Sequence, residues 1–314
     1  MGILHEIGHA LGLKHGHEFP LAISADHDST EYSVMTYRSY PGHDAEGYNN
    51  EQYGYPQTLM MLDIAALQKI YDGANYGFNS GNTTYTWDAF SGEMSINGSG
   101  QGAPGQGAGA GANRVFMTIW DGGGNDTYDL SNYGGGTTID LRPGEWTTTS
   151  TTQLANLRGD LGGPVFARGN IANALLFEGN TASAIENARG GSGADTLIAN
   201  LVANQFTGNG GNDLFKWLAT SDAGTGALAD TVLDFVRGAD KIDLSNLDAQ
   251  PGTAGQQDFA FIGTGAFGSV AGQVRYEVTG GNAHIFADVD GNGTADMQII
   301  LNGITTLAAS DFNF

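Results

Sequence analysis

The residues best equipped for chemistry are His5, Glu6, His9, Gly12 and His15, which follow one another as H-E-x-x-H-x-x-G-x-x-H. Residues four apart on an α-helix share a face, so His5 and His9 can aim imidazole nitrogens at one ion, with Glu6 beside them. Gly12 lies where a left-handed residue can stop the helix and turn the chain, so that His15 returns as a third ligand. Three neutral imidazoles suit zinc and leave open positions at which water becomes acidic, with a pKa of about 7. Glu6 is the natural base to take that proton. Further on stand Ser33-Val34-Met35-Thr36-Tyr37. Taken alone, Met35 reads as a buried filler and Tyr37 as an ordinary half-buried aromatic.

Taken with the histidines, this pair of segments resembles the metzincin zinc peptidases. The histidine string is similar to their signature, and the segment around Met35 resembles their Met-turn, whose methionine packs beneath the three histidines. In serralysins and astacins a tyrosine two residues after that methionine is a further zinc ligand. The resemblance gives Tyr37 this role, together with that of swinging to stabilise the oxyanion.

The composition is unusual: 50 glycines, 34 Asp+Glu against 12 Lys+Arg, and a net charge of -22. Such a surface disfavours nucleic acid and anionic membranes, which need basic groups, and fits bound cations instead. Cysteine is absent, which excludes a disulfide framework and a thiolate zinc site. No stretch approaches the roughly 20 apolar residues of a membrane span, and no N-terminal signal peptide is visible.

The chemistry needs elements to position it. Residues 16–55 read as loop around the Met-turn, with His17, His27 and His43 as surface histidines, because the zinc set is already filled. Gln57 to Tyr71 has apolar residues Leu59, Leu62, Ala66, Leu67 and Ile70 at helical spacing and is expected to pack as a second helix, ended by Gly73. Composition shifts soon after, which places a domain boundary near residue 75. Residues 97–113 are glycine-rich and low in complexity, and read as a flexible surface insertion that builds no core.

Beyond it come short strands and repeats. Residues 190–198 fit the G-G-x-G-x-D-x-U-x nonapeptide of the calcium-binding parallel β-roll, and 208–216 fit with one glycine replaced. Residues 199–207 keep the register, with Asn204 at the aspartate position. Leu197, Phe206 and Phe215 are therefore expected to stack inside. Successive nonapeptides lie on opposite sides of such a roll, so loops 18 residues apart stack, with one calcium between 190–195 and 208–213. Glycines let carbonyls turn towards the ion and aspartates add charged oxygen. Gly190, Ser192, Asp195, Gly208, Gly210 and Asp213 are the expected ligands, while the loop at 199–204 stays empty.

A third copy, 121–129, resembles a serralysin segment in which two aspartates and glycine carbonyls bind calcium. The resemblance implies Asp121, Gly123, Gly124 and Asp126 as ligands, joined by Gly81 and Thr83 from a second family stretch. Residues 230–245 are also serralysin-like, and Asp240 reads either as an addition to a calcium site or as a solvated turn cap. Asp288, Asp290, Asn292 and Asp296 open like a calcium loop but lack the distal glutamate, so a hairpin turn between paired strands HIFA and MQIIL is the alternative. The final Asp311-Phe312-Asn313-Phe314 resembles the tail by which serralysins leave Gram-negative cells through type I systems.

The resemblance to the serralysin family thus covers nearly the whole chain. It implies an α+β, mainly β architecture: the C-terminal part of a metzincin zinc protease domain over 1–75, then a parallel β-roll/β-sandwich calcium-binding domain over 76–314. The implied protein is secreted, extracellular and monomeric, and uses one catalytic Zn2+ and several structural Ca2+. Its partners would be protein or peptide substrates and the type I secretion apparatus. Met1 leaves less than one helical turn before His5, so the chain is expected to derive from a longer protein whose upstream half completes the catalytic domain. Without that half, the alternative is a secreted calcium-binding module with no activity.

Overall fold

The computed structural model describes residues 1–18, 23–45, 47–73, 77–107, 111–160 and 162–314. Among these, two α-helices, α1 (Gly2–Ala10) and α2 (Met61–Ile70), stand against many short strands, so the architecture is α+β and mainly β. No helix among the described residues is long and apolar enough to cross a membrane. The chain forms two compact units: Met1–Asp126 with Pro143–Ile185, and Thr127–Arg142 with Glu186–Phe314. The boundary expected near residue 75 lies outside the described residues, and the first unit runs on past it.

In the first unit, α1 stops as its sequence predicts. Gly12 takes a φ of 93°, and the amides of Gly12 and Leu13 return to the carbonyls of His9 and Gly8 at 3.0 and 2.9 Å. This paired closure is the Schellman arrangement, which only a residue free to be left-handed completes cheaply. Gly8 is needed for a different reason, since a Cβ there would fall 2.3 Å from Met35 Sδ. The helix can sit on the methionine only because this side chain is missing. Around them, Leu13, Tyr32, Val34, Met35, Met60, Met61, Phe116 and Trp146 make one buried cluster.

The helix expected over 57–71 is shorter, and the reason lies outside its own periodicity. Gln57 pairs with the 114–116 backbone: its amide donates to Phe116 O at 2.9 Å and its side chain to Arg114 O at 2.6 Å. Thr58 Oγ1 accepts from the Thr118 amide at 2.9 Å. These bonds tie 57 and 58 to that segment, Met60 is extended, and α2 starts at Met61. Its buried side chains are Met61, Asp63 and Gln68, with Leu62, Ala66 and Leu67 partly buried, whereas Ile70 is 51% exposed and corrects the expected face. Asp72 and Gly73, both at positive φ, end it.

The low-complexity stretch is also more ordered than expected. Asn97 and Gly98 take φ of 50° and 78° and form a tight hairpin that pairs Met94–Ile96 with Ser99–Gly100, the geometry that favours Asn-Gly. Ala112 is buried. Residues 108–110 of this stretch lie outside the described residues.

The second unit is a parallel two-sheet roll. Thr138–Asp140, Thr196–Ile198, Leu214–Lys216, Lys241–Asp243 and Phe312–Asn313 pair in parallel as one sheet. Thr127–Asp129, Asn187–Arg189, Gln205–Thr207, Asp230–Val232 and Met297–Leu301 pair in parallel in the other. The latter continues antiparallel through Asn282–Asp288 and Gln273–Thr279. From 187 to 243 the chain alternates between sheets, so Leu197 stands beside Phe215 at a separation of 18 while Phe206 faces them from the opposite sheet. Leu197, Phe206 and Phe215 are fully buried, and the two phenylalanine rings lie 6.2 Å apart. Burying each such side chain is worth about 1.5–3 kcal/mol, which is how a nine-residue apolar period holds a roll together.

Candidate metal centre

His5 and His9 project from successive turns of α1 and His15 returns after Gly12, so that one nitrogen of each lies within 4.8 Å of the others. His9 Nε2 and His15 Nε2 are 3.0 Å apart, and Tyr37 Oη is 2.8 Å from His15 Nε2. The other nitrogen of each ring is occupied: His5 Nδ1 by Val34 O at 2.8 Å, His9 Nδ1 by Leu13 O at 3.0 Å, and His15 Nδ1 by Glu18 Oε1 at 2.8 Å. A nitrogen facing a carbonyl or carboxylate carries the proton, which leaves the Nε2 lone pair of a neutral imidazole free. Three lone pairs and a phenol oxygen thus converge, a costly arrangement unless a cation sits among them. Zinc bonds of about 2.0–2.1 Å place tetrahedral donors roughly 3.3 Å apart, so the donor set fits that ion. Glu6 follows His5 on α1 and is exposed.

Two carboxylates that sequence reasoning missed hold this arrangement. Asp63, in the first turn of α2, is buried and accepts from Ser33 Oγ at 2.6 Å, the Val34 amide at 2.8 Å and the Met60 amide at 2.9 Å. Val34 O is the acceptor for His5, so Asp63 fixes the first histidine through the Met-turn backbone. Burial raises the Asp63 carboxyl, opposed by these hydrogen bonds. An acid in the first turn of an apolar helix was its one sequence signal. Glu18 had none beyond lying three residues past His15. A third missed group, Tyr48, donates to Thr36 O at 2.6 Å, and burial, then the neighbouring tyrosines, push its phenol up to about 12. His17 stacks on His15 at 5.4 Å and His27 lies against Tyr32. His43 corrects its expectation: it is buried, with Nε2 2.9 Å from Asn49 Nδ2.

The expected calcium positions fall into three groups. In the first unit, Asp121 and Asp126 are fully buried. Asp121 accepts from the Gly123 amide at 2.7 Å and Tyr85 Oη at 2.6 Å, and Asp126 from the Thr83 amide at 2.7 Å. A Cβ on Gly124 would meet Gly81 C and O at 2.7 Å and Asp126 Oδ1 at 2.9 Å. Gly81, Thr83, Asp121, Gly123, Gly124 and Asp126 are therefore brought together.

In the roll, the aspartates form a ladder. The amides of Thr137, Asp195 and Asp213 donate to the carboxylates of Asp195, Asp213 and Asp240 at 2.5, 2.9 and 2.9 Å. Asp240, open between two readings, belongs to this stack, and the turn before Thr137, with its three glycines 134–136, is a neighbour that no aspartate advertised. Ser192 N reaches Tyr133 O across the same stack, and Gly210 N reaches Gly191 O. Gly190 and Gly208 let the carboxylates of Asp195 and Asp213 fold over them, as a Cβ at either would lie 2.4 or 2.3 Å from an oxygen. Burial, and then the charges of Asp240, Asp195 and Asp234, push the Asp213 carboxyl up to about 7. A cation would relieve that repulsion. The loop at 199–204 differs, because Asn204 Nδ2 itself donates to Glu186 O and Asn200 Oδ1 at 3.1 and 2.9 Å.

The third group is the hairpin between Asn282–Asp288 and Met297–Leu301, which pair as expected. Asp288, Asp290 and Asp296 carboxylates lie within 4.8 Å of one another. They also cap the turn, Asp288 accepting from the Gly291 and Gly293 amides at 2.7 and 2.8 Å. Asn292 Oδ1 is engaged by the Thr294 amide.

Residues 71–314 match the family model described as Peptidase M10 serralysin C terminal. The chain is 31% identical to metallopeptidase AprA of Pseudomonas marginalis and 32% identical to metalloprotease AprA of Pseudomonas entomophila (strain L48), each over 96% of this chain and 60% of the relative. It is 29% identical to serralysin C of Dickeya chrysanthemi over 96% of this chain and 59% of that protein. The β-roll and these matches define a serralysin-type C-terminal domain. The chain belongs to the serralysin family of metallopeptidases. It spans about 60% of the length of the curated relatives it matches.

Proposed function

We propose that the protein is a secreted zinc endopeptidase, in which residues 1–75 supply the zinc-binding part of the catalytic domain and 76–314 a C-terminal region that carries the calcium-stabilised roll. The observation that carries this is the convergence of His5, His9 and His15 on one point, each Nε2 bared because its Nδ1 is held by an acceptor. These three residues and Tyr37 would hold the ion. Zinc supplies a Lewis acid that polarises a peptide carbonyl and makes water acidic near neutral pH. Glu6 would take the water's proton on its carboxylate and deliver it to the leaving amine. Tyr37 Oη would then donate a hydrogen bond to the oxyanion. Asp121, Asp126, Asp195, Asp213 and Asp240 would hold calcium with the adjoining glycine carbonyls.

The test is zinc content and casein hydrolysis of Glu6→Ala beside the parent chain. With the remaining part of its relatives' length restored to both, the expected result is one zinc in each and turnover in the parent alone, since Glu6 is a base and not a ligand. Equal turnover would overturn the mechanism. One zinc with no turnover in either would favour a secreted metal-binding module.

A further inference from the structure

The three histidines are not held alike. The acceptors for His5 and His9, Val34 O and Leu13 O, are backbone carbonyls fixed by the Met-turn and by the Schellman closure. No side-chain substitution at those positions removes them. His15 stands apart in two ways. It lies on the loop after Gly12 rather than on α1, and its Nδ1 is held by the side chain of Glu18 at 2.8 Å. Glu18 is 43% exposed, and its backbone amide turns back to His15 O at 3.1 Å, which keeps the carboxylate over the ring three residues earlier.

We propose that Glu18 is a positioning residue for the metal centre: its carboxylate fixes the orientation and tautomer of His15 and makes this imidazole the strongest of the three donors. This rests on the zinc reading above. A carboxylate accepting Nδ1–H draws that proton towards itself and leaves more electron density on Nε2 than a neutral carbonyl does. It also adds one negative charge close to a donor set of neutral imidazoles. The competing account is a surface ion pair between Glu18 and a protonated His15, which solvent screens to a weak interaction. The two differ in what they stabilise. An ion pair of that kind supports the metal-free fold and is lost when zinc displaces the imidazole proton, whereas a positioning carboxylate acts when the metal is bound.

The experiment measures zinc affinity of the whole chain by competition with a chromophoric chelator, together with the thermal midpoint of the metal-free protein and the visible spectrum of the cobalt(II) form. For Glu18→Ala we expect zinc affinity to fall by about 10–100-fold, with the metal-free midpoint unchanged and the cobalt bands shifted. Glu18→Gln keeps an acceptor oxygen without the charge and is expected to fall between the two. A loss in Glu18→Ala that Glu18→Gln fully restores would show that the carboxylate charge adds nothing, and would overturn the donor-strength half of the proposal. Zinc affinity within about twofold of the parent in Glu18→Ala, or a metal-free midpoint that falls in step with affinity, would overturn it altogether. A parent chain that takes up no zinc would instead sink the zinc reading and this inference with it.

Discussion

Asp63 offers the sharpest test of how the Met-turn is held. The side chain is buried and accepts three hydrogen bonds, from Ser33 Oγ, Val34 N and Met60 N. Asp63→Ala leaves all three donors buried without a partner, and at about 1–3 kcal/mol each the loss is roughly 3–6 kcal/mol once non-additivity is allowed for. That is a large share of the about 5–15 kcal/mol by which a domain is stable. Asp63→Asn is nearly isosteric. Its carbonyl can take the two amides now bound to Oδ2, and its amide can donate to Ser33 Oγ, so the expected loss is about 1–2 kcal/mol. Urea unfolding, followed by tryptophan fluorescence, reads this out, because Trp87, Trp120 and Trp146 lie in the first compact unit. Zinc uptake by Asp63→Asn is expected to weaken as well, since Val34 O is the acceptor that orients His5. Two variants that lose the same free energy, or an alanine variant that loses less than about 1 kcal/mol, would refute the argument.

Further outcomes are expected elsewhere. Without calcium the roll should lose stability as pH rises from about 4 to about 8. The reason is that burial holds Asp213 and Asp230 protonated up to about 7 and about 8 in the folded state, so the native chain binds more protons than the unfolded one across that window. Thermal midpoints with chelator at pH 5 and pH 7.5 check the sign, and calcium should remove Asp213's share of the loss at the higher pH through Asp195, Asp213 and Asp240 while leaving that of Asp230, whose carboxylate accepts from Asn204 N and Trp217 Nε1. A flat midpoint, or one that rises with pH in chelator, would contradict the ladder. Gly8→Ala should cost about 1–3 kcal/mol by driving a methyl into Met35, and a thermal midpoint equal to the parent's would show that the methionine can move aside. Deleting 311–314 should trap the protein in cells with a type I exporter and also lower the thermal midpoint. That segment pairs Phe312 with Ile242 and binds Arg237 through Asp311 at 3.1 Å, so unchanged secretion with a lowered midpoint would separate the two roles.

What the sequence made legible was whatever depends on near neighbours. The end of α1 at Gly12 and the nine-residue apolar period are local patterns, and both appear in the structure. The same is true of the 18-residue pairing between Leu197 and Phe215. What it hid depends on distant partners. The start of α2 is moved by bonds from 57 and 58 to residues 114–118, which no helical period reports. His43 is buried by its surroundings although its segment reads as loop. Asp240 was ambiguous because it follows Asp213 by 27 residues, where a strict repeat would place an aspartate after 18; the intervening chain passes through the other sheet at Asp230–Val232 before returning. Asp63 and Glu18 act by holding other groups, a role that leaves no motif of its own.

The alternation of strands between the two sheets makes 18 residues the natural unit of growth for the roll. Duplicating 190–207 would add one rung to each sheet and leave every later residue on its present side. Duplicating only nine residues would transfer the entire downstream chain to the opposite wall, so that asparagine-type turns fell in line with aspartates. Departures of any length are tolerated under a parity condition. The chain leaves the roll after Thr138–Asp140 and re-enters at Asn187–Arg189, in the other sheet, with the alternation intact. A lineage carrying such a fold can therefore lengthen, shorten or ornament it freely, provided the count of half-turns stays even.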